Sequence, residues 1–215
     1  MMPALSSTSS SMQKLPVNSL LGRVNITCAA SPMISGLRDR LLISSPPSRF
    51  CTAAVAIVVR GHSTELRAES MDGTVSATAG AWTRIKTATG AVTARGGEDV
   101  AIETVTGTVN YRGDTFGRVR IETVDGDVWF EGTVVRGAHL EAESHSGRIE
   151  LTLPGAVSAE FALSNFRGRI ENAFDSRSAR PAPDLRGRTL EFVTGLGAAT
   201  ITVRNFRGDI IVRQQ

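Results

Sequence analysis

A chain of 215 residues with 41% apolar and 21% charged residues is globular in composition rather than disordered, with room for one ordinary domain and an appendage. The formal charge of +3 does not mark a nucleic-acid binder, because the excess is confined to one segment: residues 1–64 carry six basic residues against the single acid Asp39, whereas 65–215 carry 18 basic and 20 acidic residues. Twenty-one glycines beside 5% aromatics predict frequent turns and small core layers, and no apolar run approaches the roughly 18 residues that a membrane-crossing helix needs.

Residues 1–64 hold twelve serines and no detectable period. Ser6 to Ser11 is close to low complexity, and the apolar stretch Ala53 to Val59 follows Arg38, Arg40 and Arg49 in the order of an export signal, although far from Met1. The segment is expected to be poorly ordered. Three readings of it stay open: a degenerate signal, a start placed too far upstream, or an edge strand at Val55 to Val59 that caps the following domain. Cys28 and Cys51 read as unpaired thiols, since two such residues define neither a metal site nor a disulfide framework.

From residue 66 the chain repeats. Glu103-Thr104-Val105-Thr106-Gly107-Thr108-Val109 is followed by Glu122-Thr123-Val124-Asp125-Gly126-Asp127-Val128, and the anchoring glycines are Gly73, Gly90, Gly107, Gly126, Gly147, Gly168 and Gly208. Asn165-Phe166-Arg167-Gly168 recurs verbatim as Asn205-Phe206-Arg207-Gly208. Aligned on these glycines, the position five before is apolar (Ala68, Ile85, Ile102, Ile121, Ala142, Leu163, Val203). The position two after is β-branched throughout, from Val75 to Ile210, and the position three before is Ser, Thr or Asn. Between the inward positions stand Glu69, Lys86, Glu103, Glu122, Glu143, Ser164 and Arg204, mostly charged. This period of two predicts a strand with one buried face. The glycine then supplies a bend, and a second strand follows that ends, in three repeats, at Gly96, Gly113 or Gly132.

A unit this small cannot bury its apolar face alone, so successive units are expected to stack head to tail. The prediction is an all-β, parallel β-solenoid of about seven rungs over 65–215. The proline-bearing stretch 172–189 is expected to be an excursion loop, and Leu190 to Val193 with Ala199 to Arg204 a hairpin or a modified last rung.

The Glu-Thr-Val-x-Gly-x-Val recurrence at 103–109 and 122–128, with the closing Gly208-Asp209-Ile210-Ile211-Val212, resembles the bacterial adhesin-like β-strand-repeat family, a domain of unknown function. The resemblance covers residues 65–215. It implies a toast-rack-like fold and a non-enzymatic structural or binding module of the cell envelope or cell exterior, with a surface glycan or envelope protein as partner and no cofactor. The alternatives are a self-assembling solenoid scaffold and a carbohydrate-active β-helix enzyme.

Candidate sites are few. Glu103, Glu122 and Glu143 would stack as adjacent carboxylates, which a hard cation could bridge, although local arginines suffice to balance them. His139, Glu141, Glu143 and His145 alternate on one strand face, but same-face neighbours nearly 7 Å apart cannot all bind one ion. No nucleophile–base set and no phosphate-binding glycine loop is recognisable. The surface-binding candidates are Phe166, Arg167, Phe206 and Arg207, paired at one bend position of two repeats, with Trp129 and Tyr111 as further aromatics.

Overall fold

The computed structural model describes residues 23–27, 40–43, 56–59, 65–78, 80–182 and 186–215. Ser6 to Ser11, Cys28 and Cys51 lie outside the described residues. Every regular element among those described is a strand: β1 (Arg23–Thr27), β2 (Arg40–Ile43), β3 (Ala56–Val59), β4 (Glu65–Asp72), β5 (Val75–Thr78), β6 (Trp82–Thr89), β7 (Val92–Arg95) and β8 (Asp99–Thr106). Two long strands follow, β9 (Val109–Asp125) and β10 (Val128–Ser146), then β11 (Ile149–Leu153), β12 (Glu160–Arg167) and β13 (Ile170–Asn172). The chain closes with β14 (Arg180–Pro181), β15 (Arg188–Val193), β16 (Thr200–Arg207) and β17 (Ile210–Gln214).

Each repeat is bent at its glycine, so the strands form two arms. The arm before the glycines runs β1–β4–β6–β8, then the second halves of β9 and β10, then β16–β12–β15–β14. The arm after them runs β2–β3–β5–β7, then the first halves of β9 and β10, then β11–β17–β13. All these pairs are parallel except β15 with β12 and β14, which makes the sheet mixed.

The core lies inside the bend. Ala68, Ile85, Ile102, Ile121, Ala142, Val203 and Leu163 form one buried ladder, and Val75, Val92, Val109, Val128, Ile149 and Ile210 face it from the other arm. The alternation along each strand follows directly: in β8, Val100, Ile102 and Thr104 are buried while Ala101 and Glu103 are not. Fully burying one such aliphatic side chain stabilises by about 1.5–3 kcal/mol. Three of the hydroxyls just inside the bend bond its own carbonyls: Ser70 Oγ donates to the Asp72 carbonyl at 2.9 Å, Thr87 Oγ1 to that of Thr89 at 3.3 Å, and Ser144 Oγ to that of Ser146 at 3.1 Å, while Thr104 and Thr123 make no such bond. In the last two repeats the amide Nδ2 of Asn205 donates across to the Gly147 carbonyl at 2.8 Å, and that of Asn165 to the Gly208 carbonyl at 2.7 Å.

Four expectations need correction. The repeats do not stack in chain order, because the last one, β16–β17, is inserted between the fifth (β10–β11) and the sixth (β12–β13). Leu190 to Val193 and Ala199 to Arg204 are therefore not a hairpin, since β15 and β16 flank β12 on opposite sides. The turn between them crosses the end of β12, pinned where Ser158 Oγ accepts the Leu196 N–H at 2.9 Å and the Ala159 carbonyl accepts the Thr194 N–H at 2.9 Å. Gly113 and Gly132 do not end their arms either. They pair with each other inside the continuous strands β9 and β10, while β7 stops at Arg95 before Gly96. The stretch 172–189 also contributes structure, as β14 and the start of β15 lie within it. An edge of two residues that includes Pro181 offers little backbone for another strand to join.

Candidate functional site

The outward face of the first arm carries two parallel rows of side chains that cross the strands. One row is Glu69, Lys86, Glu103, Glu122, Glu143 and Arg204. The other, two residues closer to the bend, is Met71, Ala88, Val105, Val124, His145, Phe206 and Phe166. A groove of about 1180 Å³ runs between them and ends at Ala182, Arg186 and Thr189. It has one charged wall and one apolar wall, because the strand places alternate residues on the same face.

The charged wall is largely neutralised from the adjacent rows. Glu103 accepts from Arg84 at 2.7 Å and Lys86 at 2.6 Å, Arg120 pairs with Glu122, and Arg204 reaches Glu143 at 2.5 Å and Glu141 at 3.5 Å. Burial works to raise the Glu103 pKa, but the hydrogen bonds and charges of Lys86 and Arg84 prevail and hold it below the usual carboxylate value. His139, Glu141, Glu143 and His145 do share one outward face of β10, alternating with buried Leu140, Ala142 and Ser144. Among the described residues, no group of three or more His, Cys, Asp or Glu side chains is placed to hold a metal ion.

The apolar wall ends in a stack of three rings. His145 and Phe206 lie 4.6 Å apart between centroids with planes 7° apart, and Phe206 and Phe166 repeat the same 4.6 Å and 7°. Phe206 is thus covered on both faces, and the stack offers the groove ring edges rather than open faces. Phe166 and Phe206 are 36% and 38% exposed, and the Arg167 guanidinium carbon lies 5.9 Å from the Phe166 centroid. Arg167 and Arg207 are register partners on β12 and β16. All four residues singled out from the two Asn-Phe-Arg-Gly copies are therefore neighbours.

His145 completes the stack and was not among the binding candidates. Its signal was its column in the glycine alignment, the same as that of Phe166 and Phe206. Tyr111 is excluded as a surface contact, because it is only 2% exposed and stacks on Phe130 in the core at 5.1 Å. Trp129 is 37% exposed on the other arm, beside a smaller groove lined also by Asn110, Arg112, Glu131 and Glu150.

The family model of Toastrack DUF4097 matches residues 53–213 of the chain. The chain belongs to that family. The Toastrack match takes in residues 53–64 as well as the glycine repeats, and so includes β3, which pairs in parallel with β5. No curated protein matches the chain, and no solved structure does. No helix among the described residues of this Toastrack domain is long and apolar enough to cross a membrane.

Proposed function

We propose that this Toastrack domain is a non-enzymatic, adhesin-like binding module of the bacterial cell envelope, built as a solenoid-like rack of about seven rungs. Its ligand is a surface glycan or an envelope protein, received along the groove of the first arm. The observation that carries the reading is the groove itself, which runs across the strands and ends on the half-exposed stack of His145, Phe206 and Phe166. Interfaces concentrate their binding energy in such aromatic and arginine anchors. The acids of the charged wall fall on a repeat row and are held by neighbouring cations, an arrangement suited to a solvated face rather than to general acid–base work.

Titration of the full chain against envelope glycans and cell-wall extracts tests the reading. Saturable binding without turnover is expected, weakened about tenfold or more in Phe166→Ala/Phe206→Ala, since truncating an interface anchor costs about 2 kcal/mol or more. Turnover of a polysaccharide that is lost in Glu122→Gln would overturn it in favour of an enzyme. Concentration-dependent growth in light scattering without ligand would favour a scaffold. Fractionation of the native cells is expected to place the protein in the envelope or the medium.

A further inference from the structure

The ridge formed by the bends is polarised along the stack. At its first end the residues flanking the glycines are acidic or neutral, including Asp72, Asp125 and Asp127. Around Gly147, Gly208 and Gly168 they become Arg148, Arg207, Arg167 and Arg169. The insertion of the last repeat sets Arg207 and Arg167 side by side in register, and Arg188 lies opposite Asn165 on the next strand.

Several arginines of the outward faces have a carboxylate, as Arg67 has Glu69, Arg112 has Glu131, Arg120 has Glu122 and Arg213 has Glu150, whereas Arg95, Arg118 and Arg136 are exposed without an ion pair among the described residues but stand apart from one another. On the ridge the balance fails. Arg148, Arg167, Arg188 and Arg207 are exposed and have no ion-pair partner among the described residues. The local acids are engaged by Arg169, at 3.2 Å from Asp209 and 3.8 Å from Glu171. Asp209 also accepts the Arg169 backbone N–H at 2.9 Å, and Asp127 accepts that of Arg148 at 2.7 Å.

We propose that this arginine ridge, beside the exposed edges of Phe166 and Phe206, binds an acidic polysaccharide, with carboxylated sugars paired to Arg167 and Arg207. The inference rests on the binding-module reading and narrows its ligand to an anionic glycan. Guanidinium groups pair carboxylates through parallel N–H···O bonds, and here they recur at the inter-strand spacing of about 4.8 Å, comparable to the length of one sugar along a chain. A linear polymer lying along the stack axis meets Arg207 and Arg167 on adjacent strands, with Arg188 on the next strand two residues off that row, which a compact anion would not use.

The test is binding of polygalacturonate by the full chain, with dextran as neutral polymer and vesicles of phosphatidylglycerol and phosphatidylcholine as anionic surface. Polygalacturonate is expected to bind, to bind more weakly as salt is raised, and to lose about tenfold or more in affinity in Arg167→Gln/Arg207→Gln. The control Arg67→Gln/Arg112→Gln, with the same change in net charge, is expected to bind as the parent does. Equal losses in both doubles, or vesicle binding tighter than polygalacturonate binding, would overturn the ridge as a glycan site. Dextran binding that depends on Phe166 and Phe206 but not on the arginines would overturn it too, leaving the module reading intact. Binding of no glycan at all would overturn the ridge, while the module reading would still rest on envelope proteins.

Discussion

Replacing Gly107 with alanine is expected to remove most of the stability of the domain. Its φ is +142°, which L side chains rarely adopt, and holding a residue in such a region costs about 1–3 kcal/mol. The larger cost is steric. A Cβ at Gly107 would overlap the carbonyl oxygen of Gly90, and the same relation links Gly90 to Gly73, Gly126 to Gly107 and Gly147 to Gly126. These contacts are backbone against backbone, so no side chain can swing aside, and relief requires parting two strands. The total should exceed about 4 kcal/mol, the range reserved for severe lesions. Gly137→Ala is the control: φ there is +79°, with nothing within 4 Å of an added Cβ, so only about 1–2 kcal/mol of conformational cost is expected. Urea unfolding followed by circular dichroism compares the two, and equal midpoints would contradict the glycine ladder.

That ladder was legible in the sequence, as were the buried face and the outward charges, because a period of two fixes which side of a strand each residue faces. The order of the strands was not. Ala142 needs an apolar neighbour in its ladder, and Val203 or Leu163 would fill that place equally well, so the pattern does not distinguish the sixth repeat from the last. The same ambiguity hid the role of β15, whose Leu190 and Phe192 are buried as they would be in a hairpin, yet pair with β12 instead. Tyr111 misled for a different reason. A tyrosine has a polar end and an apolar body, and only the structure shows its ring packed on Phe130.

Removal of residues 198–215 is expected to abolish cooperative folding. The deleted repeat buries Ile201, Val203, Ile210 and Val212, each at most 1% exposed. At about 1.5–3 kcal/mol apiece they contribute roughly 6–12 kcal/mol, comparable to the 5–15 kcal/mol that holds a whole domain together. The loss is worse than that of an end repeat, because β16 and β17 join β10–β11 to β12–β13. Without them, Leu140 and Ala142 on one side and Phe161 and Leu163 on the other lose the strand between them. Limited proteolysis should then cut rapidly within residues 160–193. A truncated chain that unfolds cooperatively at the parent midpoint would contradict the inserted position.

The insertion also creates the stack of His145, Phe206 and Phe166 in that order, so it supports the candidate site as well as the fold. It is tested most directly by engineered disulfides in a Cys28→Ser/Cys51→Ser background. Glu143 and Arg204 are register partners on β10 and β16, at the inter-strand spacing of about 4.8 Å, within reach of a disulfide. Glu143 and Ser164 have β16 between them and stand about twice as far apart, beyond the roughly 7 Å limit. Mild oxidation should therefore cross-link Glu143→Cys/Arg204→Cys and leave Glu143→Cys/Ser164→Cys reduced, and the reverse result would contradict the account.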